Sequence, residues 1–289
     1  MIDPITRVTY FWEWSQSRRY VKNLVWFKRY SGSKMLKRWL KRQDIWLKDQ
    51  NFGDYLSRIV ISKTAQNLGF ERRKKAIENK KIIAIGSILH YANDGDIIWG
   101  TGVNGKINPQ KHSFTQLDVR MVRGPLTRQF LLKRNISTPK IFGDPALLLP
   151  KLFTHFVHKP ISGKIIVVPN FNDLAMCAKI IPTGMKLVSP LLHWKSVLNE
   201  ILTSELVIAS SLHAIVLSES YGVPVRFVMP VGGEKLFKYK DYYLGTGREI
   251  DSEPDSIANV LTPDSGILMP KPTFDSKLMF DAFPGELFE

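Results

Sequence analysis

Short runs of three or four consecutive apolar residues constrain this 289-residue chain more than any other feature. Residues 81–85 (KIIAI), 96–99 (DIIW), 164–168 (KIIVV) and 205–209 (ELVIA) read as strands buried on both faces, the signature of a parallel sheet. Residues 44–47, 118–122 and 225–228 read as further strands. Helical patterns lie between them. One covers 55–68 and stops at Gly69; another opens at Gly124-Pro125 and runs to about residue 134. Residues 192–202 and 214–221 supply two more, the last stopping at Gly222. Two series of alternating strands and helices predict an α/β protein with two doubly wound Rossmann-like domains facing a cleft. The expected boundaries are a basic aromatic arm over 1–43, domains over 44–155 and 156–262, and a tail over 263–289 that packs back on the body. Residues 151–163 read as the linker, and 278–288 as a helix within the tail.

Composition narrows the class. A hydrophobic content of 44% suffices for a packed core. The single cysteine, Cys177, excludes an internal disulfide framework and a multi-cysteine zinc site, and its plain apolar setting argues against a nucleophile. No stretch approaches the ~20 apolar residues of a membrane span. Charges interrupt every apolar run before residue 50, so no signal-peptide core is present and a cytoplasmic location is expected. The net charge of +15 is uneven: residues 1–50 hold twelve Lys/Arg against four Asp/Glu, a local +8, with five of the seven tryptophans. Such an arm suits the headgroups of an anionic membrane, binds nucleic acid, or forms a solvated face whose aromatics pack inward. No nucleic-acid-binding motif accompanies it, which disfavours that partner.

The candidate chemistry gathers at strand-to-helix turns. Ser210-Ser211-Leu212-His213 lies between a strand pattern and a helix pattern. Such a turn presents free backbone N–H groups and the positive end of a helix dipole, which suits an anion. A histidine there binds an anion when protonated, or moves a proton. A capping serine beside a partly buried histidine explains the same residues. Arg123 precedes the helix start at Gly124-Pro125, where a guanidinium offers bidentate contacts to carboxylate or phosphate; Arg120 falls on the opposite strand face. Asp54 in Asn51-Phe52-Gly53-Asp54 and Asp144 in Gly143-Asp144-Pro145 are candidate carboxylates, with helix or turn capping as their structural alternative. Gly100-Thr101-Gly102-Val103-Asn104-Gly105 matches the dinucleotide fingerprint, but the proline and aperiodic run after it give no opening helix. These glycines are better read as a sharp turn lining a crevice. Zincin, P-loop and nucleophile-elbow patterns are absent.

Five blocks resemble the polysaccharide pyruvyl transferase family, in that family's order. They are 51–54 (NFGD), 85–105 (IGSILHYA…DIIWGTGVNG), 118–131 (DVRMVRGPLTRQFL), 143–150 (GDPALLLP) and 210–224 (SSLHAIVLSESYGVP). The resemblance spans about residues 46–230 and leaves the basic arm outside it. It implies a fold like the two-domain glycosyltransferase B type, and transfer of a pyruvyl ketal from phosphoenolpyruvate to two sugar hydroxyls in capsule or exopolysaccharide synthesis. It further implies that His213 and Arg123 act on the donor, with Ser210, Ser211 and the Leu212 amide as added ligands. A third cation is expected among Lys235, Lys238 and Lys240, with Lys235 ranked first. Asp54 is the candidate base, and Asn51, Asp144 and Gly102 are candidate acceptor contacts. No cofactor or metal is required. The implied acceptor is a lipid-linked oligosaccharide or polysaccharide repeat, which would bring the arm to the inner face of the cell membrane. The alternative is a glycosyltransferase of the same shape that takes a nucleotide-sugar donor, with Glu219 as its ribose contact.

Overall fold

The computed structural model describes residues 51–70, 81–231, 233–259 and 261–288. The expected strand over 44–47 and the basic arm lie outside them. The described chain opens with α1 (Phe52–Asn67), whose apolar face buries Phe52, Leu56, Val60 and Ile61. Its cap is Asn51, whose side chain accepts from the Gly53 amide at 3.0 Å. Sequence reading offered Asp54 for that place. Asp54 instead sits in the first turn, because Asn caps as well as Asp and a carboxylate one turn in still complements the dipole.

Two sheets follow. The first is parallel, β1 (Ile82–Ile83), β2 (Ile97–Trp99) and β3 (Asp118–Met121) in that order, and a parallel bridge from Val122 to Phe142 continues its edge. The second contains β4 (Ile165–Val168), β5 (Met185–Leu187), β6 (Leu206–Ala209), β7 (Val225–Phe227) and β8 (Ile267–Leu268), ordered β5-β4-β6-β7-β8. Only β8 is antiparallel. Ile82, Ile83, Ile97 and Ile98 are buried on both faces, as their unbroken apolar runs require. The connecting helices are α2 (Pro125–Leu132), α3 (Leu149–Leu152), α4 (Leu174–Ile180), α5 (Trp194–Leu202), α6 (Leu212–Ser220) and α7 (Phe237–Gly245). The chain is therefore a mixed α/β protein built on parallel sheets.

One apolar core runs through both sheets. It joins Leu56, Trp99 and Met121 to Leu148, then to Ile166, Val197, Ile215 and Phe227. At roughly 1.5–3 kcal/mol for each large side chain buried, this seam ties the halves firmly. Residues of the expected linker lie along α5: the Lys159 and Ile161 amides donate to Leu202 and Thr203 carbonyls, and Phe153 and Phe156 pack on Trp194. The tail returns to the first sheet. In place of one helix over 278–288 it forms α8 (Ser276–Asp281) and a 3₁₀ turn (Gly285–Leu287), with Pro284 between them. Trp99 Nε1 donates to the Met279 carbonyl at 3.1 Å, and Phe283 meets the same indole edge-on at 5.0 Å.

The three glycines of the fingerprint-like turn each admit a different neighbour. A Cβ would strike the Pro145 ring at Gly100, the Arg123 guanidinium at Gly102 and the Phe237 side chain at Gly105. Gly100 and Gly105 also hold positive φ, of 102° and 81°. The spacing thus serves close packing around a crevice.

A candidate anion-binding site between the sheets

The carboxyl ends of both sheets border a cavity of about 270 Å³. One wall comes from the second sheet. Here β6 ends at Ala209, and the Ser210 and Ser211 amides both donate to the Val168 carbonyl at 3.2 Å, which turns the chain sharply into α6. Ser210 is spent on the fold. Its hydroxyl accepts from the Asn170 amide at 2.7 Å and its carbonyl accepts from Tyr239 Oη at 2.7 Å, so it does not line the cavity. Ser211, Leu212 and His213 do line it, and no side chain caps the helix they open.

His213 stands in the first turn of α6 with its ring flush on Gly53; a Cβ there would lie 2.0 Å from Nδ1. Phe52 meets the imidazole edge-on at 6.2 Å. Its Nε2 is buried without a protein partner. Burial, followed by the charges of Lys238 and Arg123, pushes this histidine down to about 3, so the imidazole is neutral here. Of the three lysines expected as a third cation, Lys238 is the one that lines the cavity. It is buried in the first turn of α7, with Nζ 2.7 Å from Glu234, while Lys235 and Lys240 are exposed. The expectation that ranked Lys235 first is corrected: Lys235 precedes α7 and is exposed, whereas the helix register turns Lys238 inward. Burial lowers the Lys238 ammonium against the pull of Glu234. Burial works against the Glu234 carboxylate, but Lys238 and Lys106 outweigh it and hold the group below its ordinary value. Lys106, from the first half, also pairs with Glu234, so one carboxylate joins lysines from the two sides of the cavity.

Arg123 lies behind the cavity. It is fully buried, with Nη2 and Nε at 2.9 and 3.1 Å from Asp241 Oδ2, and it donates to the Val103 carbonyl at 2.8 Å. Asp241 also accepts from the Thr127 amide and hydroxyl at 2.9 and 2.6 Å, which fills the start of α2 with an internal anion. Arg123 reaches the cavity lining only through Nη1, which donates to Ser87 Oγ at 2.5 Å. Backbones meet closely at this joint: a Cβ at Gly124 would fall 1.7 Å from the Asp241 carbonyl oxygen. Asp241, which completes the pair, carried no signal in the sequence, lying 118 residues away.

The remaining candidates divide. Asn51, the cap of α1, and Asp54, in its first turn, line the cavity. Asp144 does not: it caps the 3₁₀ turn Pro145–Leu148 by accepting from the Ala146 amide at 2.9 Å. Burial pushes its carboxyl up to about 6 against that bond and the charge of Arg123. Gly102 sits against Arg123 and is likewise outside the lining. Glu219 pairs with Arg248 and accepts from Tyr242 Oη at 2.6 Å, away from the cavity. Burial pushes the Cys177 thiol up to about 12. His90 and Asn104 line the cavity and went unmarked by sequence reading. Among the described residues no cluster of three or more His, Cys, Asp or Glu could hold a metal ion. No described helix is long and apolar enough to cross a membrane.

Parallel sheets, an uncapped helix start at their carboxyl edge, a half-buried histidine and a buried lysine give an α/β protein with a candidate site for a small anion. A profile of the polysaccharide pyruvyl transferase family matches residues 3–230, and the chain belongs to that family. The match begins at residue 3, so the basic arm, expected to lie outside the resemblance, falls within it. Over 171 residues the chain is 25% identical to the succinoglycan biosynthesis protein ExoV of Rhizobium meliloti (strain 1021). That alignment covers 56% of this chain and 52% of the relative, so the chain spans about half the length of the curated relative it matches. No solved structure matches.

Proposed function

We propose that this protein transfers the pyruvyl group of phosphoenolpyruvate to two hydroxyls of a sugar, forming a ketal in the synthesis of a capsule or exopolysaccharide. The carrying observation is that the uncapped start of α6, His213 and Lys238 meet in one cavity. Phosphoenolpyruvate bears a phosphate and a carboxylate. The first-turn amides, Ser211 and Lys238 suit those groups. Arg123 acts from behind the cavity, holding Ser87 on the first-sheet side and locking α7, which carries Lys238, to α2.

His213 then has two tasks in sequence. A bound phosphate dianion would raise its depressed basicity, so donor binding takes up a proton. Delivery of that proton to the methylene carbon makes the methyl group and leaves C2 electron-poor. One sugar hydroxyl adds to C2, the C2–O bond to phosphate breaks, and the second hydroxyl closes the ketal, releasing inorganic phosphate and restoring the proton balance. Asp54 is the carboxylate placed to accept a hydroxyl proton. The arrangement supports reading the two halves as the Rossmann-like domains of a glycosyltransferase-B-like fold. The acceptor would be a lipid-linked oligosaccharide or polysaccharide repeat, with the +8 segment over residues 1–50 held at an anionic membrane surface.

Labelled phosphoenolpyruvate with candidate lipid-linked sugars tests the reading. Phosphate release without any nucleotide, and a thermal shift with phosphoenolpyruvate, are expected. A shift with UDP- or CMP-sugars and none with phosphoenolpyruvate would overturn it. The engagement of Glu219 by Arg248 weighs against the nucleotide-sugar alternative.

A further inference from the structure

The cavity's two walls differ in chemistry. The wall from the second sheet carries Lys238 and the start of α6. On the wall from the first sheet, Ser87, His90, Tyr91 and Asn104 are uncharged or neutral, and Asp54 is a carboxylate. Lys106, at the border, is engaged by Glu234. An anion gains little on the first-sheet wall, whereas a polyol finds both donors and acceptors there.

Two atoms on this wall lack protein partners. Asn104 donates through Nδ2 to the Ser87 carbonyl at 3.4 Å, yet its Oδ1 is buried and unpaired. His90 Nδ1 is also buried and unpaired. An unpaired buried polar atom costs about 1–3 kcal/mol, so two on one wall of one cavity call for a ligand. Burial, with the charges of His112 and Lys111 behind it, holds His90 down at about 4. It is therefore a neutral ring offering one donor and one acceptor. The Tyr91 ring lies 3.9 Å away, centroid to centroid and tilted by 44°, so an aromatic ring adjoins the polar atoms.

We propose that His90 and Asn104 are specificity-determining residues that hold the diol of an acceptor hexopyranoside on the first-sheet wall, opposite the donor. This rests on the pyruvyl-transfer reading. It shifts the acceptor contacts from Asp144 and Gly102, which do not line the cavity, to His90 and Asn104, which do.

The test uses the full chain with methyl β-D-glucopyranoside and methyl β-D-galactopyranoside as probes. Saturation-transfer NMR reports sugar binding and the phosphoenolpyruvate thermal shift reports the donor. Wild type should show saturation transfer to at least one glycoside, and none to its 4,6-O-benzylidene derivative, in which the diol is blocked. His90→Ala and Asn104→Ala should each weaken the glycoside roughly tenfold while keeping the donor shift. Asn104→Ser and His90→Gln, which retain hydrogen bonding, guard against a folding defect and should bind more tightly than the alanine variants. No glycoside signal with wild type, an unchanged signal in both alanine variants, or a donor shift lost in either would overturn the assignment. A wild type without a donor shift defeats the pyruvyl-transfer reading instead, and is recognisable as such because the sugar signal is read separately.

Discussion

Two turns in this molecule share a local plan and differ in what meets the helix start. Each ends a parallel strand and opens a helix, at Arg123-Gly124-Pro125 and at Ser210-Ser211-Leu212. At the first, the Asp241 carboxylate binds the Thr127 amide and neutralises Arg123, so the fold supplies its own anion. At the second, no side chain caps the helix and the turn borders a cavity. The same sequence logic marks both for an anion, but only the three-dimensional partner separates a structural joint from a helix start left open to a cavity.

The sharpest break between the two turns is expected from paired substitutions. His213→Ala should lower transfer by about two to four orders of magnitude, the range for a positioned acid–base group, with its melting temperature near that of wild type. Near-normal turnover would remove His213 from the chemistry. Arg123→Ala should behave in the opposite way. It strands Asp241 as an uncompensated buried charge and should cost about 3–5 kcal/mol in denaturant unfolding. Adding Asp241→Ala to it should recover part of that loss. If Arg123→Ala unfolds like wild type and only binds donor poorly, the turn is a donor clamp after all.

Smaller effects refine the open turn. Lys238→Ala should raise the KM for phosphoenolpyruvate about ten- to a hundredfold, the worth of a hydrogen bond to a charged group, whereas Lys235→Ala should leave it unchanged. A larger effect from Lys235→Ala than from Lys238→Ala would restore the ranking read from sequence. The pH dependence is the smallest signal. His213 is depressed to about 3 in the folded protein, against about 6.5 when unfolded. The unfolded chain binds the extra proton between those values, so the neutral histidine's contribution is complete above pH ~6.5 and is lost as pH falls toward 3. Melting temperatures should therefore drop below pH 6.5, and His213→Gln should flatten that slope. An identical slope in the variant would show that the ring is not buried neutral.

Legibility followed physical cause. The strands at 82–83, 97–99, 165–168 and 206–209 could be read because burial on both faces demands unbroken apolar runs. Met185–Leu187 could not: it is a three-residue edge strand with a partly exposed face. Helix α7 was hidden because Tyr239, Tyr242 and Tyr243 are buried around much of its circumference, which erases the one-sided periodicity. At the site, the SSLH turn and NFGD were visible because capping chemistry is local. The choice of Lys238 over Lys235 and the Arg123–Asp241 pair were not, since register and a partner 118 residues away leave no local trace. His90 and Asn104 matter only through atoms that the fold leaves unpaired, a property of the assembled cavity.

The return of the tail to Trp99 bears on the order in which this protein can mature. The indole belongs to the earlier of the two described sheets, yet its hydrogen-bond acceptor, the Met279 carbonyl, is synthesised 180 residues later. Domains generally fold as they emerge, amino-terminal first. Here the early half waits with an uncovered tryptophan until the late one is finished. The unit of folding is then the described body as a whole, and its nascent form is the stage most exposed to chaperones and to aggregation.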